Sequence, residues 1–171
     1  MSEPRVTRPP GRLYVIYLLA LSVWMSMILM APLLASIPGL APMSGPIYSV
    51  FSWACHQDPR RCLTIWGRPM AVCARCTFIY LGVLVASLLY PLVGSPPVPR
   101  ARFLFIAALP LCVDGGTQLL GLRSSTTSIR ALTGLLFGMA LAFYVAPQVE
   151  DALSPLLESR KKRGAPGTRG P

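Results

Sequence analysis

Residues 13–37 run for 25 positions without one charged side chain. At about 1.5 Å per residue, a helix of that length exceeds the roughly 30 Å hydrocarbon core of a bilayer. A chain crossing lipid must satisfy its backbone hydrogen bonds internally, so this run predicts a spanning helix. Three further apolar stretches, residues 70–93, 103–122 and 129–147, make the expected architecture an all-α polytopic membrane protein with four transmembrane helices. The basic lead before residue 13 resembles the start of a signal peptide, but an h-region usually has only about 7–15 residues, so the segment reads as an uncleaved anchor.

Composition supports the bilayer as solvent. The 171-residue chain is one domain by length, with 53% hydrophobic residues, 13% charged residues and a mean hydropathy of +0.56. Soluble domains carry about a quarter charged residues. A net charge of +10 would suggest nucleic acid in a soluble chain. Here the arginines sit between apolar runs, so the charge reads as topology, with the lipid bilayer and no nucleic acid as partner.

Between the runs, residues 1–12 form a basic, proline-rich lead expected to be disordered. Prolines and glycines in 38–46 end the first helix, and 47–54, with Tyr48, Phe51 and Trp53, suits a short interfacial helix. Residues 94–102 make a turn and 123–128 a hydroxyl-rich loop, while 148–171 is expected to be a mobile basic tail. Gly134, Gly138 and Ala142 form a small-residue face on which helices can approach closely, a candidate homo-oligomer contact.

Orientation follows from counting basic residues. Arg5, Arg8, Arg12, Arg100, Arg102, Arg160, Lys161, Lys162, Arg163 and Arg169 would share one side, ten against six for Arg60, Arg61, Arg68, Arg75, Arg123 and Arg130. The positive-inside rule then puts both termini in the cytoplasm of an inner-membrane protein. The second span begins and the third ends at the opposite, extracytoplasmic face. Cys73, Cys76, Asp114, Gln118 and Arg123 are thus expected to converge there.

Residues 55–80 hold four of the five cysteines and the only histidine. Cys73 and Cys76 lie three apart at the start of a helix, on one face, where the helix N-terminus and Arg75 favour thiolate. With Cys55 and His56 they supply the soft donors that zinc requires. A structural disulfide, a dithiol redox pair and inert packing account for the same letters. Cys62 is a loop cysteine able to join the cluster or pair with Cys55, and Cys112 is a small packing residue.

Asp114 is the single acid within a predicted span, so it should face the interior and have a partner or a task. With Gln118 one turn later it is a candidate catalytic pair, and an ion-pair tether to Arg123 or Arg130 is the simpler alternative. Gly115 and Gly116 suggest a local break in the helix. Arg61, Arg75, Arg123, Ser125 and Arg130 are candidate contacts to a phosphate or lipid headgroup, because the guanidinium fork matches phosphate oxygens. A solvated loop with a helix-capping serine or threonine explains the last of these equally. No nucleophile elbow, phosphate loop or HExxH motif is present.

CHQ at 55–57, Arg61, CARC at 73–76 with Ile79, Tyr80 and Gly82, and DGxxQ at 114–118 followed by Arg123, Ser125, Arg130 and Gly134 resemble a family of uncharacterised prokaryotic integral membrane proteins. That family is a domain of unknown function, and the likeness spans about residues 45–145. It implies a membrane location and a shared site centred on Cys55, His56, Cys73 and Cys76, with no established activity. Cys62, Phe78, Ser124 and Thr127 depart from its pattern, which sets Cys62 apart from the core. The expected function is a Cys/His site, metal-binding and able to act with Asp114, at one membrane face. Thiol–disulfide exchange, handling of lipid or small solutes, and a purely structural subunit are the alternatives.

Overall fold

The computed structural model describes residues 11–93 and 99–151. The expected disordered lead and mobile tail lie largely outside the described residues, as does most of the turn at 94–102. Five helices and one hairpin follow in order: α1 (Arg12–Ser36), α2 (Ala41–Ser52), β1 (Cys62–Ile65), β2 (Arg68–Cys73), α3 (Ala74–Leu89), α4 (Ala101–Leu119) and α5 (Thr127–Asp151).

Three helical stretches are long and apolar enough to cross a membrane, Arg12–Ser36, Ala74–Val93 and Thr127–Val149. Helix α4, expected as the third of four spans, is not among them. Arg102 near its start and Asp114 and Gln118 near its end confine its apolar run to 103–113. It also stays continuous through Gly115 and Gly116, without the expected break, and ends before Gly121, whose φ of +69° is the left-handed turn glycine tolerates.

The all-α expectation is corrected by the antiparallel hairpin β1–β2. Residues 70–73, read as the start of a helix, lie on a strand, and the helix begins at Ala74. Ile65 pairs with Arg68 across a two-residue turn in which Trp66 (φ 52°) and Gly67 (φ 72°) are both left-handed. Two positive φ values in a two-residue loop match the twist of the flanking strands, so this turn closes a tight hairpin. Thr64, Ile65 and Val72 supply β-branched side chains, and a bulge between Cys62 and Thr64 shifts the register so that Cys62 faces Cys73.

The hairpin is anchored rather than pendant. Met70, Ala71 and Val72 are buried with Met25, Ile28 and Ala31 of α1 and Phe51 of α2. Trp24 packs edge-on against Phe51, ring centroids 4.7 Å apart, and against Tyr80 of α3. Helix α2, expected as an interfacial helix, starts at Ala41, earlier than the aromatic segment suggested, and leaves Trp53 at its end almost fully exposed.

Helices α3 and α5 pack through the small-residue face expected to join two copies. A Cβ on Gly134 would lie 2.5 Å from the Arg75 carbonyl oxygen, one on Gly82 would lie 2.7 Å from that of Leu135, and one on Gly138 would overlap that of Ile79. Ala142 is buried beside Val83 and Ala86. The Gly134, Gly138 and Ala142 face is therefore occupied within the chain. Closely approaching backbones of this kind are how helices associate in lipid.

These contacts also show that α3 and α5 run parallel. Helix α1 runs against both, since the Tyr14 hydroxyl donates to the Ser87 carbonyl oxygen (2.5 Å) and Tyr14 packs with Tyr90 and Ala146. The beginning of α1 and the end of α5 thus share one end of the bundle. The hairpin, the starts of α3 and α5 and the finish of α4 occupy the other.

Candidate functional site

At that second end the structure brings together two groups of side chains, divided by the first turn of α3. The first is sulfur. Cys55 follows α2, Cys73 ends β2 and caps α3, and Cys76 lies in its first turn. Their Sγ atoms all lie within 4.8 Å of one another. An ion with metal–sulfur bonds of about 2.3 Å in tetrahedral geometry needs sulfurs about 3.8 Å apart, so only small adjustments separate this set from a coordination sphere.

The loop carrying Cys55 is held by the residue after its neighbour. Gln57 adopts a left-handed φ of 50°, and its amide donates to the carbonyl oxygens of Tyr48 (2.7 Å) and Ala71 (2.8 Å). This fastens the CHQ segment to α2 on one side and β2 on the other. Tyr48 adds a hydroxyl bond to the Pro69 carbonyl oxygen (2.5 Å). Thr77 donates to the Cys73 carbonyl oxygen (3.2 Å) and secures the strand-to-helix junction.

The Cys73 backbone N–H donates to the Cys55 sulfur at 3.2 Å. Hydrogen bonds from the Cys73 and Cys76 thiols, together with backbone donors, hold the Cys55 thiol well below its usual range despite its partial burial. Thiolate is the form that binds metal or attacks a disulfide. Cys62 behaves oppositely, its thiol pushed up to about 12 by burial and by the neighbouring Cys55 and Cys73. It faces Cys73 across the ladder yet stays outside the three-sulfur group. His56 is exposed and does not join that group. Cys112 is exposed on α4, not packed inside as expected.

The second group surrounds Asp114, the buried residue of α4. Arg75 of α3 donates to Oδ2, Arg123 of the α4–α5 loop donates to Oδ1 at 2.7 Å, and Gln118 donates to Oδ2 at 2.9 Å. Arg130 of α5, also buried, reaches the Gln118 Oε1 atom from Nε (3.3 Å) and Nη2 (3.2 Å). The Arg75 guanidinium passes beside Gly115, 3.4 Å from where a Cβ would stand. Both oxygens of the acid are engaged, and the cluster ties α3, α4 and α5 together.

Asp58 and Arg60 are further residues at this end not singled out by sequence reasoning. Asp58 accepts from the Arg60 backbone N–H (3.0 Å) and pairs with Arg61 (3.1 Å), forming a tight turn before β1. Their signal was the DPRR run, a capping acid before a proline at the first position of a turn. Gln57 belongs to the CHQ motif, but nothing in its neighbours announces its positive φ.

Comparison with known proteins bears on this end of the molecule. Residues 55–144 match the family described as "Predicted membrane protein (DUF2085)". An uncharacterized protein of Methanocaldococcus jannaschii is 45% identical over 104 residues, covering 59% of this chain and 67% of that protein. An uncharacterized protein of Methanothermobacter thermautotrophicus is 39% identical over 94 residues, covering 54% of this chain and 84% of that protein. No solved structure matches the chain. The chain belongs to this family of membrane proteins, and the matched stretch contains every residue of both groups.

Proposed function

From membership of that membrane-protein family, we propose that the chain is a polytopic membrane protein whose hairpin end holds a thiophilic metal ion through Cys55, Cys73 and Cys76. The observation that carries this is the meeting of three sulfurs from three separate backbone elements. Zinc is the expected ion, since its structural and catalytic sites both accept thiolates at such distances, and copper(I) is the competing soft ion. Three donors are one short of a closed zinc site, which leaves a fourth position for His56, for Cys62 or for an incoming ligand.

Asp114 and Gln118 serve this end as positioning residues. A carboxylate with a guanidinium on each oxygen is a poor proton acceptor, which supports an anchoring role over the acid–base role their pairing suggested. Four traverses of the bilayer also belong to the proposal. Parallel α3 and α5 require the chain to return between them, and the 19 residues of α4 cover about 28 Å. The count of basic residues supports placing the shared end of α1 and α5 in the cytoplasm and the metal site outside.

Elemental analysis of the full-length protein, purified from metal-replete cells in reductant, tests the metal site. About one ion per chain is expected. Cys73→Ser should bring it to background, while Cys112→Ser should leave it unchanged. Background metal in the wild type would remove the proposal. A mass shift on alkylation showing two thiols reversibly lost to oxidant would then assign the sulfurs to disulfide exchange.

A further inference from the structure

Beyond the sulfur site, a second feature at the same end is a cavity of about 440 Å³ between the Asp58–Arg61 turn and the start of α5. Its lining is polar throughout, and four arginines, Arg60, Arg61, Arg123 and Arg130, face a single lining carboxylate, Asp58. That carboxylate is already paired with Arg61. Asp114, hydrogen-bonded to the lining residues Gln118 and Arg123, is shared between Arg75 and Arg123.

Arg130 makes the imbalance specific. It is 8% exposed, yet its hydrogen bonds go to the neutral amide oxygen of Gln118. No carboxylate pairs with it among the described residues. A guanidinium removed from water without an opposite charge is strongly disfavoured, so a side chain held this way and lining a cavity calls for an anion from outside. Helix α5 begins at Thr127, which also lines the cavity, and its N-terminal dipole adds to the positive potential.

We propose that this cavity binds a phosphate group, with Arg130 at its base and Arg60 and Arg61 at its mouth. Several guanidiniums around one space suit a dianion better than a carboxylate, and their forks match phosphate oxygens in pairs. Ser124 and Thr126 add hydroxyls to the lining. No apolar side chain is among the described lining residues, so the cavity suits a headgroup or a free phosphate better than an acyl chain. This assignment also accounts for arginines gathered at the end of the bundle that the positive-inside rule would leave poor in them.

Isothermal titration of the detergent-solubilised full-length protein tests the proposal, with inorganic phosphate and dihexanoyl phosphatidic acid as probes and dihexanoyl phosphatidylcholine as control. Saturable binding that falls with added salt is expected for at least one of the first two. Phosphate alone sufficing identifies a free anion. Binding of phosphatidic acid alone identifies a headgroup.

Arg60→Gln and Arg61→Gln, both exposed, should each weaken binding about tenfold, and Arg130→Gln should abolish it. Arg68→Gln, an arginine outside the cavity, should change nothing. Metal content should stay at the wild-type value in all four, separating this site from the sulfur site. Failure of both probes to bind the wild type would overturn the assignment. So would equal affinity in the Arg60→Gln/Arg61→Gln double variant and the wild type, a result independent of whether Arg130→Gln folds.

Discussion

The sulfur group and the arginine group stand at the same end of the bundle on opposite sides of one helical turn. Cys73 and Cys76, three apart, turn toward Cys55, while Arg75 between them reaches the other way to Asp114. The spacing CxRC is what allows this, since the N-cap position held by Cys73 lies beside the third helical residue, Cys76, while Arg75 between them points away. The two groups also have opposite needs. Three sulfurs within reach of one another can take a thiophilic cation, and guanidiniums that outnumber the carboxylates around them can take an anion. Among the described residues, one polar end thus carries two groups of opposite preference.

The largest expected effect separates architecture from binding. Asp114→Ala leaves Arg75 and Arg123 without their shared counter-charge, and breaking such a buried pair costs about 3–5 kcal/mol. Thermal unfolding in detergent should drop sharply, while the fraction that folds keeps its metal. If metal disappeared from folded Asp114→Ala protein, the groups would be one site and the contrast between them would fail.

Next comes the seam both groups stand on. Gly138→Val places a side chain against the Ile79 carbonyl of α3, and overpacking of this kind costs about 1–3 kcal/mol. Because α3 carries Cys76 and Arg75 together, metal content and phosphate binding should fall in parallel with stability. An unchanged melting temperature would show that the helices do not touch there.

A comparable loss confined to one side is expected of Gln57→Ala. Removing the amide deletes its hydrogen bonds to the Tyr48 and Ala71 carbonyls, at about 1–3 kcal/mol for the two. The Cys55 loop loosens, so metal affinity should fall while α3, α4 and α5 remain tied through Asp114. Metal competition with a chelator measures it.

What the sequence disclosed divides along physical lines. Long apolar runs announced α1, α3 and α5, because a bilayer imposes length and hydropathy together. Convergence of the cysteines with Asp114 followed from placing helix ends, and the structure has them at one end. The hairpin was hidden, since Met70–Cys73 is as apolar as the helix after it and its turn uses Trp66–Gly67, where Asn-Gly would have been the plain signal. The Gly134/Gly138 face was legible as a helix contact but not as an internal one. Spacing alone does not say which helix fills it. His56 illustrates the same limit at closer range, for adjacency to Cys55 in sequence leaves its side chain exposed and outside the sulfur group.

The smallest expected effect draws the boundary of the sulfur group most finely. Cys62 faces Cys73 across the ladder and has the same donor atom as the other three cysteines at this end. Proximity and chemistry both nominate it as the fourth ligand. Against that stand its place outside the three-sulfur set and a thiol pushed up to about 12 by burial, which keeps it protonated at neutral pH. A metal would have to displace that proton and draw β1 closer to Cys76. Cys62→Ser should therefore leave metal content at the wild-type value and shift stability by no more than about 0.5 kcal/mol. Loss of metal in this variant as well as in Cys55→Ser would make the centre a closed four-sulfur site. Retention together with loss in Cys55→Ser leaves three sulfurs and an open position, the arrangement in which a bound ion can take a further ligand.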